Sequence, residues 1–168
     1  YSIDYGFSPG VVTGKPLHLF GSVGREEATG RGVMYVLEEA LKDRGQSLEG
    51  TTIALQGFGN VGSNAARLLA ERGAKIVAVA DHMGGVANEA GLDIPALVDW
   101  AAQERTIAGF SGGEAFDGPE VIAWPADVLI PAALEEAITE KNAADVKAGI
   151  VIEAANAPTT PEADAILH

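Results

Sequence analysis

The sequence predicts an α/β fold: a Rossmann-like, open, mostly parallel twisted sheet with helices on both faces. Segments with helical hydrophobic spacing alternate with short apolar runs that are typical of buried strands. One of these runs passes through a glycine-rich turn directly into a helix, and a second apolar run follows that helix. A strand, a tight turn, a helix and a strand form a βαβ unit, which is almost always right-handed and parallel.

The first 24 residues have no clear period and are interpreted as a lead-in segment broken by glycine and proline. Helical spacing then predicts a helix from about residue 25 to residue 44, with acids at its start and Gly45 as its stop. Its apolar positions recur at i, i+3, i+4, i+7 and i+8, namely Val33, Val36, Leu37, Ala40 and Leu41.

The βαβ unit follows this helix, and the later elements continue the alternation. Its second strand is almost continuously apolar, as expected for a strand covered on both faces. No repeat or linker divides the chain, so residues 1–168 are expected to form a single domain. The predicted strands are 51–56, 75–80, 126–130 and 149–153, the predicted helices run from about 60 to 72, 94 to 104 and 139 to 144, and residues 110–118 form a glycine-rich loop.

Charge and composition exclude several functions. Lys and Arg number 11 against 24 Asp and Glu, and the net charge of −13 repels nucleic acid and anionic membranes, so neither partner is expected. The chain has no cysteine, and His18, His82 and His168 lack ligand spacing, so no metal is expected. No apolar run approaches the roughly 20 residues that span a bilayer, and no secretion signal is recognisable, so a cytoplasmic protein is expected.

Residues 57–62 form a G-x-G-x-x-G motif whose context indicates a dinucleotide site. The motif follows a strand and opens a helix, and Asp81 follows Gly62 by 19 residues, close to the usual spacing of about 20. Gly57 permits the tight turn, Gly59 lets a pyrophosphate approach the backbone, and Gly62 lets helix and sheet pack closely. Free N–H groups at the helix N-terminus would hold the anion. The alternative is a turn whose glycines serve packing alone.

Asp81 favours NAD as the cofactor. Its carboxylate would accept hydrogen bonds from the hydroxyls of the adenosine ribose and would repel a 2′-phosphate. His82 keeps NADP as the alternative, because an imidazole, above all when protonated, could contact that phosphate. His82 could equally be a solvated loop residue.

Five segments resemble the coenzyme-binding domain of glutamate dehydrogenase, in the family that also contains leucine, phenylalanine and valine dehydrogenases. They occur in the family's order and run nearly end to end. The stretch 24–33 favours glutamate as the substrate over the three apolar amino acids. The segments are 11–17, 24–33, 56–62, 130–135 and 153–164.

The resemblance implies reversible oxidative deamination of L-glutamate to 2-oxoglutarate and ammonia, with hydride transfer to the nicotinamide. It also implies that Thr29 and Arg25 lie toward the nicotinamide end, Asn60 in the phosphate turn, and Ala133 and Asn156 beside the nicotinamide ribose. Three of these residues have a structural alternative: Thr29 could bond within its helix, Arg25 could form a surface ion pair, and Asn156 could cap a turn. The expected cofactor-binding residues are Arg25, Thr29, Gly57, Phe58, Gly59, Asn60, Val61, Gly62, Asp81, His82, Ala132, Ala133 and Asn156.

The catalytic groups are expected to lie outside this chain. The family carries its catalytic lysine and proton-transferring aspartate in an N-terminal domain, and none of the five lysines here lies in a Gly-Lys-Gly loop. A start at Tyr1 and a stop at His168 inside a family segment indicate a piece of a longer enzyme, without its substrate domain and C-terminal closing segment. The piece is expected to bind NAD, or NADP, but to need the missing domain for glutamate turnover, in an enzyme that forms homo-oligomers. The alternatives are the same domain of a leucine, phenylalanine or valine dehydrogenase, and a non-catalytic dinucleotide-binding regulatory module.

Overall fold

A computed structural model describes residues 2–168, which form a six-stranded sheet with helices on both faces. In this part of the chain no helix is long and apolar enough to cross a membrane. The helices are α1 (Ser2–Tyr5), α2 (Ala28–Asp43), α3 (Asn60–Glu71), α4 (Ile94–Glu104) and α5 (Pro161–Leu167), and the strands are β1 (Thr52–Gln56), β2 (Lys75–Asp81), β3 (Gly84–Ala87), β4 (Glu114–Phe116), β5 (Val128–Pro131) and β6 (Ile150–Val151). Short 3-10 turns lie at Pro9–Val11, Leu17–Leu19, Gly118–Ala123 and Ala143–Asp145.

The strand order across the sheet is β4-β3-β2-β1-β5-β6. β1 pairs in parallel with β2 on one side and with β5 on the other, and β6 pairs in parallel with β5. This arrangement confirms the predicted βαβ unit and the mostly parallel sheet. β3 and β4 extend the β2 edge in antiparallel orientation. The chain leaves β1 first toward β2 and later toward β5, so the strand order reverses at β1, where open α/β sheets bind their ligands.

Alternating side chains of the central strands divide the core into two layers. Ile53 and Leu55 of β1 pack in the layer that contains α2, α3 and α4, while Ala54 between them faces the opposite layer. The second layer is covered by the 3-10 turn at Gly118–Ala123 and by α5, which contribute Val121 and Ala163. The sheet carries alanines on this face, at Ala54, Ala78, Ala80 and Ala87. Such small side chains let irregular segments approach the strands closely.

Two predicted helices differ from the structure. The helix expected from residue 25 begins at Ala28, because the preceding residues form turns in which Arg25 N–H donates to the Ser22 carbonyl. Residues 139–144 form no α-helix. Asn142 Oδ1 accepts from Thr139 N–H at 2.8 Å and its Nδ2 donates to the Ala137 carbonyl at 2.9 Å. The side chain thereby occupies backbone groups that a helix would need.

Four short helices and strands were not predicted, and one of them is α1, which lies in the segment interpreted as an irregular lead-in. The expected loop at 110–118 contains β4, and the preceding hairpin strand β3 begins with two glycines, which weaken any strand signal. Helix α5 was also missed, although Thr160 followed by Pro161 is a helix-start signal. Thr160 caps α5, because its side chain accepts from Ala163 N–H at 3.2 Å.

Helices α2 and α3 cross at Gly30. A Cβ atom there would lie 2.7 Å from Ala65 N and 2.9 Å from Asn64 Cβ, so only a glycine permits this crossing. Glu27, at the start of α2, accepts from Arg67 of α3 at 2.8 Å and ties the start of α2 to the middle of α3. The packing of α2 on α3 thus depends on a close backbone approach.

Replacing Gly30 by Ala should destabilise the fold. We expect Gly30→Ala to lower the free energy of unfolding by about 1–2 kcal/mol, since overpacking costs about 1–3 kcal/mol. Gly32→Ala is the matched control, because that position of α2 has open space around it. The control should raise the free energy of unfolding by about 0.5–1 kcal/mol, because alanine favours the helix more than glycine does. Urea unfolding of both variants measures the difference, and equal unfolding midpoints for Gly30→Ala and Gly32→Ala would contradict the close approach of the two helices.

Candidate functional site

A groove of about 680 Å³ lies at the carboxyl ends of β1, β2 and β5. It is situated where the strand order reverses, the position that the fold predicts for a ligand. Its opposite wall comes from the loop after α4 and from the 3-10 turn at Gly118–Ala123. The predicted site residues that line this groove are Gly57, Phe58, Gly59, Asp81, His82, Ala132 and Ala133.

The three glycines of the motif have different surroundings. Gly57 has φ +94°, and a Cβ atom there would lie 2.8 Å from Ala133 Cβ. A Cβ atom on Gly62 would lie 1.9 Å from the Gly57 carbonyl oxygen. The turn therefore requires both residues. Gly59 has an ordinary φ of −77° and open space where a Cβ would stand, so its missing side chain leaves room in the groove.

Helix α3 begins at the groove without a side-chain cap. Its N-cap residue is Gly59, which provides no capping hydrogen bond. Helices α4 and α5, by contrast, are capped by Asp93, which accepts from Ala96 N–H at 3.0 Å, and by Thr160. The first N–H groups of α3 are thus left for an external acceptor, and the positive end of the helix dipole favours an anion there.

The six other predicted site residues do not line the groove. Asn60, Val61 and Gly62 form the first turn of α3, directly after Gly59. Asn60 Nδ2 donates to the Glu26 carbonyl at 2.9 Å and holds the segment before α2. Arg25 lines a separate shallow groove between the lead-in segment and α2. Thr29 is exposed in the first turn of α2, and Asn156 is exposed after β6.

Asp81 is bound by three donors of its own chain. Its Oδ1 accepts from Met83 N–H at 2.8 Å, while Oδ2 accepts from Thr106 Oγ1 at 2.7 Å and from Ile107 N–H at 2.8 Å. Partial burial would raise the pKa of Asp81, but the hydrogen bonds from Ile107, Met83 and Thr106, with His82 nearby, outweigh it and lower that pKa.

These bonds limit what Asp81 can offer a ligand. A carboxylate has about four acceptor positions, and three of them are taken. One position, on Oδ1, is left for a ribose hydroxyl, whereas the sequence had suggested a carboxylate free for more than one. Asp81 also anchors the loop after α4 to the end of β2, so the same side chain shapes one wall of the groove.

Sequence reasoning missed four polar residues of the groove, namely Gln56, Arg105, Thr106 and Asn142. Gln56 lies at the end of β1, and its buried Oε1 has no partner among the described residues. Its place immediately before Gly57 was the available signal. Arg105 and Thr106 line the groove from the loop after α4. No local pattern marked these two, because their position depends on the long-range bond to Asp81. No group of three or more His, Cys, Asp or Glu in the described part of the chain could hold a metal ion.

The chain belongs to the Glutamate/Leucine/Phenylalanine/Valine dehydrogenase family, whose model matches residues 21–168. Its resemblance to glutamate dehydrogenase is confirmed by similar solved structures. The hetero-hexameric glutamate dehydrogenase of Thermus thermophilus, in a Leu-bound form, is 39% identical with a TM-score of 0.90. The enzymes of Peptoniphilus asaccharolyticus and Plasmodium falciparum are 35% and 25% identical, with TM-scores of 0.77 and 0.85. Each match covers 99% of this chain but only 38–39% of the other chain.

Replacing Asp81 by Asn should lower stability in a pH-dependent way. An amide cannot accept from all three donors. Asp81→Asn should therefore lower the free energy of unfolding by about 1–2 kcal/mol near neutral pH, allowing for the partial exposure of the group. Because folding lowers the pKa of Asp81, its contribution is complete above the unfolded-state value of about 3.9. It is lost as the pH falls through the folded-state value.

Urea unfolding between pH 7 and pH 3 measures this difference between the wild type and Asp81→Asn. The difference should be constant above about pH 5 and should shrink below about pH 4. Asp99→Asn is the control, since Asp99 is exposed on α4 and has no hydrogen-bond partner in residues 2–168. If the difference in the free energy of unfolding between the wild type and Asp81→Asn grows toward pH 3, the ionised carboxylate is not the stabilising form and the prediction is contradicted.

Proposed function

We propose that this chain is the dinucleotide-binding domain of a glutamate dehydrogenase, an enzyme of reversible oxidative deamination of L-glutamate to 2-oxoglutarate and ammonia. The open space at Gly59, beside the uncapped start of α3, is the observation that carries the proposal. Membership of the family supports it, and the similar structures are glutamate dehydrogenases by name. The hexameric assembly of the Thermus enzyme supports an oligomeric parent.

The groove offers a distinct group for each part of NAD. The N–H groups of the first turn of α3 would bind the pyrophosphate, which can approach because Gly59 has no side chain. The remaining acceptor position of Asp81 would take a hydroxyl of the adenosine ribose. Ala132 and Ala133 leave room along the β5 side, and the unpartnered Gln56 Oε1 would accept a donor of the ligand. When bound, the nicotinamide would accept or return the hydride.

The domain by itself would bind the cofactor without oxidising glutamate. Amino-acid oxidation needs a base and a substrate α-carbon positioned at the nicotinamide. The groove residues include no lysine, and their one carboxylate, Asp81, is held by three donors. The substrate domain of the parent enzyme would therefore provide the acid–base groups and the glutamate site.

Adding a methyl group at Gly59 should block the ligand without harming the fold. Calorimetric titration with NAD should give a binding isotherm for the wild type and an affinity at least about tenfold lower for Gly59→Ala, a difference of about 1.4 kcal/mol. Because the φ of Gly59 is ordinary and its surroundings are open, the melting temperature should hardly change. Gly32→Ala is the control and should bind NAD as the wild type does. Equal affinities for the wild type and Gly59→Ala would refute the assignment of the pyrophosphate to this turn.

Mixing the purified chain with NAD and glutamate should produce no NADH. The expected absence of turnover follows because the groove has no lysine, its one carboxylate is held by three donors, and His82 lies beside Asp81, at the end that the proposal assigns to the adenosine ribose. Absorbance at the NADH band measures it, with an intact glutamate dehydrogenase as the positive control. A glutamate-dependent rise in NADH absorbance with the chain alone would disprove the proposal that the substrate domain of the parent enzyme provides the acid–base groups.

A further inference from the structure

The loops after β5 and β6 are joined by a ladder of backbone hydrogen bonds. Ala154 N–H and Ala155 N–H both donate to the Pro131 carbonyl at 3.0 Å. Further along, Glu136 N–H donates to the Ala157 carbonyl, also at 3.0 Å. The two loops therefore form one unit, although they are far apart along the chain.

The far end of this ladder is anchored in the core. Ile138 N–H donates to the Pro158 carbonyl at 2.8 Å, and Thr160 N–H donates to the Ile138 carbonyl at 2.9 Å. Ile138 and Pro158 are buried, and Ile138 belongs to the second layer of the core. The ladder thus has a fixed base beneath the exposed parts of the two loops.

Two residues of the ladder have a backbone conformation that favours glycine. Glu136 has φ +53° and Ala157 has φ +45°, both in the left-handed region that side chains rarely adopt. These two residues are partners in the same hydrogen bond. Both side chains are exposed, so burial of the side chains does not offset the strain. Strain of this kind persists where the surrounding bonds impose it, and it is concentrated at functional sites.

The strained ladder supports one wall of the large groove. The loop after β5 contributes Ala132, Ala133, Leu134 and Ala137 to the lining of that groove, and Glu136 directly precedes the last of them. A wall that is fixed before the ligand arrives does not have to be ordered on binding, which raises affinity.

The strand order indicates which part of the ligand this wall would meet. The strands run in the order β2, β1, β5 across the sheet. Asp81 ends β2, and the uncapped start of α3 follows β1. In the proposed function these two positions take the adenosine ribose and the pyrophosphate. The nicotinamide nucleoside would then extend over the end of β5, beside the loop that the ladder holds.

We propose that Glu136 and Ala157 are positioning residues for the nicotinamide nucleoside. Neither residue lines the groove, so both act through the loop after β5, which their hydrogen bond holds in place. The left-handed backbone at both positions is the feature that sets the course of the loop. This proposal rests on the proposed function, because it takes the positions of the adenosine ribose and the pyrophosphate from it.

Calorimetric titration of the chain with NAD and with ADP tests the proposal. ADP contains the adenosine and the pyrophosphate but lacks the nicotinamide nucleoside. The wild type should bind NAD at least about tenfold more tightly than ADP, because the preformed wall adds contacts without an ordering cost. Ala157→Val should lose most of this ratio, while its affinity for ADP stays within about twofold of the wild type, because a β-branched side chain disfavours a positive φ.

Glycine variants separate the backbone conformation from the side chain. Ala157→Gly should keep the wild-type ratio, because glycine adopts a φ of +45° without strain. Glu136→Val and Glu136→Gly repeat the comparison at the partner residue. Both remove the same charge, and only the valine should lower the ratio. Ala90→Val is the control, since Ala90 is exposed in the turn after β3, near the amino end of β2 and away from the groove, and it should leave both affinities unchanged.

Wild-type binding of NAD no tighter than that of ADP would overturn the positioning role and leave the proposed function standing. Valine variants that keep the wild-type ratio, or that lose both ligands equally, would do the same, because a purely structural role changes both affinities together. An equal fall of the ratio in the glycine and valine variants would also overturn the role, since the side chain would then be decisive. Binding of neither ligand by the wild type would overturn the proposed function and this proposal together.

Discussion

The close backbone approach in the turn between β1 and α3 is the constraint on which the rest of the structure depends. Gly57 turns the chain with a positive φ, and Gly62 brings the first turn of α3 against the Gly57 carbonyl. This contact sets the direction of α3, and Gly30 in turn lets α2 pack closely on α3. The same turn leaves the N–H groups of α3 at the carboxyl edge of the sheet, so one steric requirement determines both the packing and the position of the groove.

Asp81 couples the groove to the stability of the fold. Its Oδ2 closes the loop after α4 onto β2 through Thr106 and Ile107, and its Oδ1 has the one free acceptor position. A carboxylate engaged by three donors is well placed and strongly ionised, but it has little capacity left for a ligand. The proposed binding of a ribose at this end of the groove would therefore use the one free position on Oδ1.

Local patterns predicted the parts of the fold that depend on local interactions. The helix at α2 and the strand–glycine–helix order of residues 51–72 required no knowledge of distant residues, and both elements were confirmed. Within the predicted apolar face of α2, Val33, Leu37 and Leu41 are buried but Val36 is exposed. The patterns failed where a particular side chain or partner strand decides the conformation. Asn142 replaces a helix by turns through two bonds to nearby backbone, and the short strand β3 exists because β2 and β4 pair with it on either side.

Short motifs were enough to predict the fold class, the family and the glycine turn, because the residues of each motif lie close together along the chain. The sequence also indicated that Asp81 follows a buried strand beside the expected ribose position. The hydrogen bonds of Asp81 and the residues that face it depend instead on contacts between distant parts of the chain. Ile107 is 26 residues away along the chain, and no spacing rule predicts that its N–H meets this carboxylate. Arg105 lines the groove from the same loop, which the hydrogen bond between Thr106 and Asp81 holds there.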